Sequence, residues 1–140
     1  MPSNVPMPGD ENTFVFMFDA DTSFDQYGVR SLREEFKRGK DVSGVCGRVE
    51  IQQPTKIVEY VQEFEYAASH YLAKAMEAHV LGFVSCLPGC FCMWRFEHLQ
   101  DFAEALEHDV SSEKHFLELK QGEDRALCSY AIVNGARLVY

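Results

Sequence analysis

A run of five apolar residues that ends on two carboxylates constrains the fold of this chain more than any other feature. Residues 14–18 are Phe-Val-Phe-Met-Phe, and Asp19, Ala20 and Asp21 follow directly. Continuous apolar runs of this kind are typical of strands that are buried on both faces. Because ligands bind beyond the carboxyl ends of strands in open α/β sheets, Asp19 and Asp21 are candidate metal ligands. A capped acidic turn is the structural alternative.

The length and charge of the chain limit its class and its partners. With 140 residues it is long enough for one domain with a real core. Its 13 basic and 22 acidic residues give a net charge of -9, which excludes nucleic acid as an expected partner, since phosphate contacts need a basic surface. An anionic substrate would need a bridging cation. The odd number of cysteines, five, predicts free thiols in a reducing compartment.

Helix and strand signals alternate after the first strand. Residues 1–12 contain three prolines and no apolar periodicity, so a disordered lead-in is expected. The predicted elements that follow are a helix capped by Ser23 or Asp25 and ended by Gly39, a strand from Val42 to Ile51, a helix from Pro54 to about His79 that stops at Gly82, a helix beginning at Glu97, a helix opened by Gly122 and closed by Asn134-Gly135, and a strand from Arg137.

The long helix from Pro54 carries an apolar stripe on one side. At about 100° per residue, the stripe consists of Val61, Phe64, Ala68, Leu72 and Ala75, and we expect it to face the core. Glu65 lies at the flank of the stripe, about 40° from its centre. A carboxylate in that place must be paired or must serve a ligand. The sequence leaves both open, a salt bridge with a buried arginine and a ligand contact.

Residues 83–96 form the most unusual passage, with Pro88-Gly89 predicting a turn between two apolar arms. Cys86, Cys90 and Cys92 could be combined with His70 or His79 into a zinc site. Their spacing matches no standard zinc pattern, and free cysteine is among the most buried residue types. Small buried residues that line a pocket floor are therefore the favoured interpretation.

An acidic pair opens the helix that begins after Gly122. Glu123 and Asp124 stand in its first turn and Arg125 follows. Negative side chains at this position are stabilised by the helix dipole, so a simple cap is one interpretation. The other is a general base that the dipole and Arg125 keep ionised.

Five motifs together resemble one enzyme family. Phe-Asp-Ala-Asp-Thr (18–22), Val-Cys-Gly-Arg (45–48), Gln-Glu-Phe-Glu-Tyr (62–66), Cys-Leu-Pro-Gly-Cys-Phe (86–91) and Gly-Glu-Asp-Arg (122–125) occur in the order and approximate spacing of the chitin synthases. These are processive family-two glycosyltransferases. The resemblance covers about residues 14–140. Its most specific parts are the Cys-Leu-Pro-Gly-Cys-Phe and Phe-Glu-Tyr motifs.

The resemblance implies a fold, a reaction and a cellular location. The fold would be α/β, a partial GT-A-type (Rossmann-like) core with a mostly parallel sheet flanked by helices, and residues 13–140 would form an incomplete catalytic domain. The reaction would move N-acetylglucosamine from UDP-N-acetylglucosamine to a growing β-1,4-linked chitin chain with inversion. The intact protein would be a multi-pass plasma-membrane protein with this segment on the cytoplasmic side, and an oligomer is compatible with the family.

The resemblance also implies roles for single residues. Asp19 and Asp21 match the motif that holds the donor nucleotide and its Mg²⁺ or Mn²⁺. Asp124 matches the carboxylate that takes the proton from the acceptor hydroxyl, with Glu123 and Arg125 beside it. The remaining substrate-binding candidates, placed near the donor sugar and the start of the product path, are Cys86, Leu87, Pro88, Gly89 and Cys90, to which Glu65 of the Phe-Glu-Tyr motif is added.

The chain also departs from the family pattern. The Gln-x-x-Arg-Trp motif, the upstream strands that grip the uracil ring and the channel helices are not among its 140 residues. We therefore expect the isolated chain to make no polymer, and we expect its incomplete sheet to have unpaired edge strands. The alternatives are a fragment of another processive β-glycan synthase, of hyaluronan or cellulose type, and a truncated, non-catalytic interaction module.

Overall fold

A four-stranded mixed sheet forms the centre of the computed structural model, which describes residues 13–108 and 122–140. The strands are β1 (Phe14–Phe18), β2 (Val42–Cys46), β3 (Phe91–Arg95) and β4 (Arg137–Val139), in the order β1-β3-β2-β4. In the register, Phe18 pairs with Phe91 and Cys46 pairs with Cys92. The ends of three strands therefore meet at one edge of the sheet, which is where the candidate site begins.

The sheet is mixed, whereas the sequence predicted a mostly parallel one. β3 is antiparallel to both β1 and β2, and only β2 and β4 form a parallel pair. β1, β2 and β4 still share one direction, because β3 lies between β1 and β2 and runs against both. The connection from β2 to β3 contains the long helix, and the loop at residues 86–90 that follows this helix turns the chain so that β3 enters the sheet antiparallel to β2.

β1 is an edge strand of this sheet, and the prediction of a strand buried on both faces is wrong for it. Its first four residues are half-buried and Phe18 is exposed. In β2 and β3 every residue is buried, and these two strands lie inside the sheet with neighbours on both sides. The apolar run correctly predicted a strand, but its burial depends on which strands pair with it.

The helices cover both faces of the sheet. They are α1 (Gln26–Glu35) followed by a 3₁₀ turn (Phe36–Arg38), α2 (Ile57–Tyr66), a π-helical segment (Ala67–Leu72), α3 (Ala73–Leu81), α4 (Phe96–His108) and α5 (Glu123–Val133). Asp25 caps α1 by accepting a hydrogen bond from the Gly28 N–H at 2.7 Å, as predicted. Gly82 ends α3 with a φ of 79°, a conformation that favours glycine. None of the described helices has the length and apolar character needed to cross a membrane.

Two hydrophobic clusters, one on each face of the sheet, hold these layers together. Alternate residues of β3 contribute to each cluster, as the two-residue period of a strand requires. The buried members of the first are Cys46, Val84, Leu87, Cys92, Trp94, Cys128, Ala131 and Leu138. Those of the second are Leu32, Phe36, Val42, Val45, Phe91, Met93 and Val139.

The long helix is present as predicted, but it faces the core with the opposite side. Of the predicted apolar stripe, Val61, Phe64 and Leu72 are 52%, 74% and 57% exposed. Lys74, which the helical wheel placed opposite the stripe, is buried. The prediction that the stripe faces the core is therefore wrong in this structure.

Hydrogen bonds to a neighbouring loop explain why the polar side of the helix is buried. The Lys74 ammonium group donates to the carbonyl oxygen of Cys86. The Glu77 carboxylate accepts from the backbone N–H of Ser85 at 2.8 Å and from the Ser85 hydroxyl at 2.9 Å. Buried polar groups are tolerated when they are hydrogen-bonded in this way.

Two predictions concern residues outside the described ones. They are the disordered lead-in at residues 1–12 and the polar connection that follows α4.

Candidate active site

A pocket of about 720 Å³ lies beside the carboxyl end of β1. Its lining includes the carboxylates of Asp19 and Asp21, the guanidinium-bearing Arg48, Tyr66 and Cys90. A cavity of this size suits a small-molecule ligand. The pocket therefore brings together two predicted site residues of the acidic turn and one of the Cys-Leu-Pro-Gly-Cys loop.

Asp19 and Asp21 stand in an exposed turn at the mouth of this pocket. The Thr22 N–H donates to the backbone carbonyl of Asp19 at 3.0 Å, so the backbone forms the turn. Neither carboxylate has a hydrogen-bond or ion-pair partner within residues 13–108 and 122–140. No three His, Cys, Asp or Glu side chains of this part converge on a metal position. Mg²⁺ is commonly held by one or two carboxylates together with substrate phosphates, and the two aspartates fit that donor set.

The Cys-Leu-Pro-Gly-Cys loop (residues 86–90) connects the long helix to β3. The Phe91 N–H donates to the Pro88 carbonyl at 3.4 Å, which closes the predicted turn. Leu87 is the buried anchor of the loop and is only 1% exposed. It rests on Gly44 of β2, where a Cβ would lie 2.4 Å from Leu87 Cδ1. The sheet thus sets the position of the loop through the missing side chain at Gly44.

Asp124 joins the first turn of α5 to this loop. The Gly89 N–H donates to Asp124 Oδ2 at 2.8 Å. A Cβ on Gly89 would lie 3.1 and 3.2 Å from the two carboxylate oxygens, so glycine gives Asp124 its close approach. Asp124 is half-buried, whereas Glu123 and Arg125 on either side are exposed. Of the three predicted catalytic residues, the structure places Asp124 against the loop.

Cys90 links the acidic turn to Asp124. Burial raises the pKa of the Cys90 thiol, and the negative charges of Asp19 and Asp124 raise it further. Both carboxylates are therefore near enough to act on the same thiol. Asp124 itself is not part of the pocket lining, whereas Cys90, the residue after its partner Gly89, is. The loop at residues 86–90 is therefore close both to the acidic turn and to Asp124.

Glu65 lies away from this arrangement. Its side chain is exposed, and only its backbone carbonyl is engaged, by the Ser69 hydroxyl at 2.7 Å. The alternative of a salt bridge with a buried arginine is wrong among the described residues, because the Glu65 side chain is exposed and forms no ion pair with any of them. A substrate-binding role for Glu65 stays a prediction.

Sequence reasoning missed three residues that shape the site. Arg48 lines the pocket, and Lys74 and Glu77 hold the loop from the long helix. Arg48 belongs to the Val-Cys-Gly-Arg motif, so its presence in a motif was the available signal. Lys74 and Glu77 carried no such signal, because their helical face was assigned to solvent.

The cysteines do not form a zinc site among the described residues. All five are free thiols, and no group of three ligands converges on them in this part of the chain. Cys46, Cys92 and Cys128 are buried in the first hydrophobic cluster, and Cys86 packs against it. The other interpretation, small buried residues that line a pocket floor, holds only in part, because Cys92 is buried but does not line the pocket, whereas Cys90 lines it and is half-buried.

Comparison with known proteins connects this geometry to one family. A family model described as chitin synthase matches residues 5–115. Chitin synthase chs-2 of Caenorhabditis elegans is 39% identical over 132 residues, which is 93% of this chain and 8% of that protein. A chitin synthase of Meloidogyne artiellia is 38% identical over 93% of this chain and 7% of its own. Chitin synthase 5 of Cryptococcus neoformans is 35% identical over 85% and 7%. The chain therefore spans less than a tenth of the length of these relatives.

Proposed function

This chain belongs to the chitin synthase family, and on that premise we propose that it supplies the donor-binding turn and the general base of an inverting glycosyltransferase. The donor is UDP-N-acetylglucosamine, and the acceptor is the end of a growing β-1,4-linked chitin chain. The observation that carries the proposal is the position of Asp124, hydrogen-bonded to Gly89 of a loop whose next residue lines the Asp19 and Asp21 pocket.

Asp19 and Asp21 bind the donor diphosphate through a divalent cation. The diphosphate is negatively charged and the chain has a net charge of -9, so direct contact between the two is unfavourable. Asp19 and Asp21 would hold Mg²⁺ or Mn²⁺, which would supply the positive charge that neutralises the phosphates and helps the nucleoside diphosphate to leave. Arg48 lines the same pocket, where it forms an ion pair with Glu50 at 2.7 Å.

Asp124 accepts the proton of the attacking hydroxyl. Its Oδ2 is held by the Gly89 N–H, and no donor from the described residues reaches Oδ1. That oxygen is free to accept a hydrogen bond from a sugar hydroxyl, and the carboxylate lies at the first turn of α5, where the helix dipole is positive. A base on the side of the anomeric carbon opposite the diphosphate promotes in-line displacement, which inverts the configuration.

The intact protein extends this arrangement in ways that the family membership suggests. We propose a multi-pass plasma-membrane protein with this segment on the cytoplasmic side, where the nucleotide sugar is available. The acceptor path lies in parts of the protein beyond these 140 residues. The isolated chain is then expected to make no polymer.

The test uses a graft in which this chain replaces the matched residues of the Caenorhabditis elegans relative. Asp124→Asn keeps the shape of the side chain and an oxygen for the Gly89 N–H, but it cannot take up a proton. Removal of a general base costs about 10²–10⁴ in rate. We expect turnover to fall by that factor while binding of UDP-N-acetylglucosamine, measured by titration, is unchanged.

The matched control is Glu123→Gln, the same chemical change on the exposed neighbour. It should retain most of the turnover, although adjacent carboxylates can share a proton. Loss of donor binding in Asp124→Asn would contradict the assignment and place residues 122–125 in the diphosphate site. An active graft with unchanged turnover in Asp124→Asn would show that Asp124 is not the base, and a folded but inactive graft would favour the alternative of a non-catalytic module.

A further inference from the structure

Two cysteine sulfur atoms meet at Leu87, where the Cys-Leu-Pro-Gly-Cys loop touches α5. The Leu87 N–H donates to Cys128 Sγ at 3.2 Å, and Cys86 Sγ lies 3.7 Å from the Leu87 carbonyl oxygen. Cys86 directly precedes Leu87 in the loop, so the Cys128 sulfur lies beside the loop backbone at Cys86. Cys128 has no exposed surface, whereas Cys86 is half-buried and can be reached from solvent.

The environment gives the two thiols opposite properties. The hydrogen bond from Cys128 lowers the pKa of Cys86 to about 7, and the positive charges of Lys74 and Arg125 act in the same direction, against burial and the charge of Asp124. The same hydrogen bond and burial raise the pKa of Cys128. Cys86 is thus a half-buried thiol with a lowered pKa, and Cys128 is a buried thiol with a raised pKa on the neighbouring helix.

We propose that Cys86 and Cys128 form an oxidant-sensitive dithiol that closes to an intramolecular disulfide when it reacts with a peroxide. An accessible thiolate beside a second cysteine is the usual arrangement of a redox-sensitive pair. The Cys86 thiolate attacks one peroxide oxygen, forms a sulfenic acid and releases hydroxide, which becomes water. The Cys128 sulfur then attacks the Cys86 sulfur, its proton leaves with the hydroxyl group as a second water, and the S–S bond forms. The two electrons from the thiols reduce the peroxide.

The disulfide would tie the loop to the helix that carries Asp124. Cys128 is four residues after Asp124, so both lie on the same side of α5. In the reduced chain the loop is attached to α5 by hydrogen bonds from Leu87 to Cys128 and from Gly89 to Asp124. A covalent bond at Cys86 would restrict any movement of the loop relative to Asp124. This consequence for activity rests on the proposed function, whereas formation of the disulfide does not.

The other cysteines provide internal controls. Burial raises the pKa of Cys46 and of Cys92 to about 12. Cys90 resembles Cys86 in its half-buried side chain, but its pKa is raised rather than lowered. At pH 7 a larger fraction of Cys86 is ionised, although its thiolate is intrinsically less nucleophilic. Its alkylation should therefore be at least about fivefold faster than that of Cys90.

The experiment treats the reduced full chain with hydrogen peroxide, blocks the remaining thiols and maps peptides without reduction. We expect one Cys86–Cys128 crosslink and a mass lower by two hydrogen atoms. The Cys90→Ser variant should form the same crosslink. Cys86→Ser should form none, and Cys128→Ser should give a Cys86 sulfenic acid that dimedone traps.

Three results would overturn the proposal. The first is a crosslink between Cys86 and Cys90 in place of Cys128. The second is oxidation of Cys86 to the sulfinic acid in the unmodified chain without any disulfide. The third is the same set of crosslinks, in the same proportions, when the chain is oxidised in concentrated urea, since native contacts would then play no part. Each is measured on the unmodified chain, so the result does not depend on how well a variant folds or on glycosyl transfer.

Discussion

Gly44→Ala tests the claim that the sheet positions the site loop through a missing side chain. The added Cβ would lie 2.4 Å from Leu87 Cδ1 and 3.1 and 3.2 Å from atoms of the Trp94 ring. Leu87 and Trp94 are 1% and 2% exposed, so neither can move away into solvent. One of the two side chains, or β2 itself, must shift.

The expected cost follows from this overlap. Adding a methyl group to a well-packed core destabilises a protein by about 1–3 kcal/mol. Leu87→Ala removes the clashing atoms and by itself costs about 2–5 kcal/mol through the cavity that it leaves. In the double variant the new methyl group occupies part of that cavity. The double variant should therefore lose about 1–2 kcal/mol less free energy of unfolding than the sum of the losses in the two single variants. A difference of this size is within the range measured for residues in contact.

The assay is urea unfolding of the purified chain, followed by fluorescence. The chain has one tryptophan, Trp94, which is buried beside the substituted glycine. With a urea dependence of about 1–3 kcal/mol per M, Gly44→Ala should lower the midpoint by about 1 M. Gly122→Ala is the control, since nothing lies within 4 Å of its added Cβ. Additivity of the two core changes within about 0.5 kcal/mol would refute the packing argument.

Three further predictions concern the acidic turn, the buried lysine and one surface ion pair. In the graft, Asp21→Asn should weaken UDP binding and make it depend more steeply on Mn²⁺ concentration, because a hard cation site loses one of its few carboxylates; an unchanged metal dependence would make the turn purely structural. Lys74→Met removes a charge that lowers the pKa of Cys86, so the midpoint of its alkylation against pH should move above about 7, and an unmoved midpoint would contradict that contact. A hydrogen bond from Arg137 lowers the pKa of Asp41 below its ordinary 3.8. The ionised Asp41 therefore stabilises the folded chain above pH 3.8, and this stabilisation is lost as the pH falls through the lowered pKa. Asp41→Asn should therefore reduce the urea midpoint at pH 7 and match the unmodified chain in strong acid, and equal midpoints at pH 7 would refute the prediction.

The sequence alone predicted the elements whose signals are local. The strand at residues 14–18, the Asp25 cap, the end of the long helix at Gly82, the turn at Pro88-Gly89 and the helix after Gly122 are all present. Each depends on side-chain and backbone preferences within a few residues, such as the positive φ that glycine accepts. The motif order also identified the family, because it lies entirely in the chain itself.

The buried side of the long helix depended on a contact that is distant in sequence. Lys74 and Glu77 are buried or half-buried because the backbone at Ser85 and Cys86 satisfies their charged groups. A helical wheel ranks side chains by polarity and contains no information on such partners. It therefore placed Val61 and Phe64 inside, although the structure exposes them.

The sequence by itself determined the chemistry of the candidate site, since the carboxylates after β1, the five-residue loop and the acidic pair of α5 are properties of single segments. Only the tertiary structure decided which of them meet. The insertion of β3 between β1 and β2 places Cys90 next to Asp19, and the docking of α5 brings Asp124 to Gly89 and Cys128 to Leu87. The physical reason is that strand order and helix docking depend on the burial and hydrogen bonding of the whole chain, which no local pattern contains.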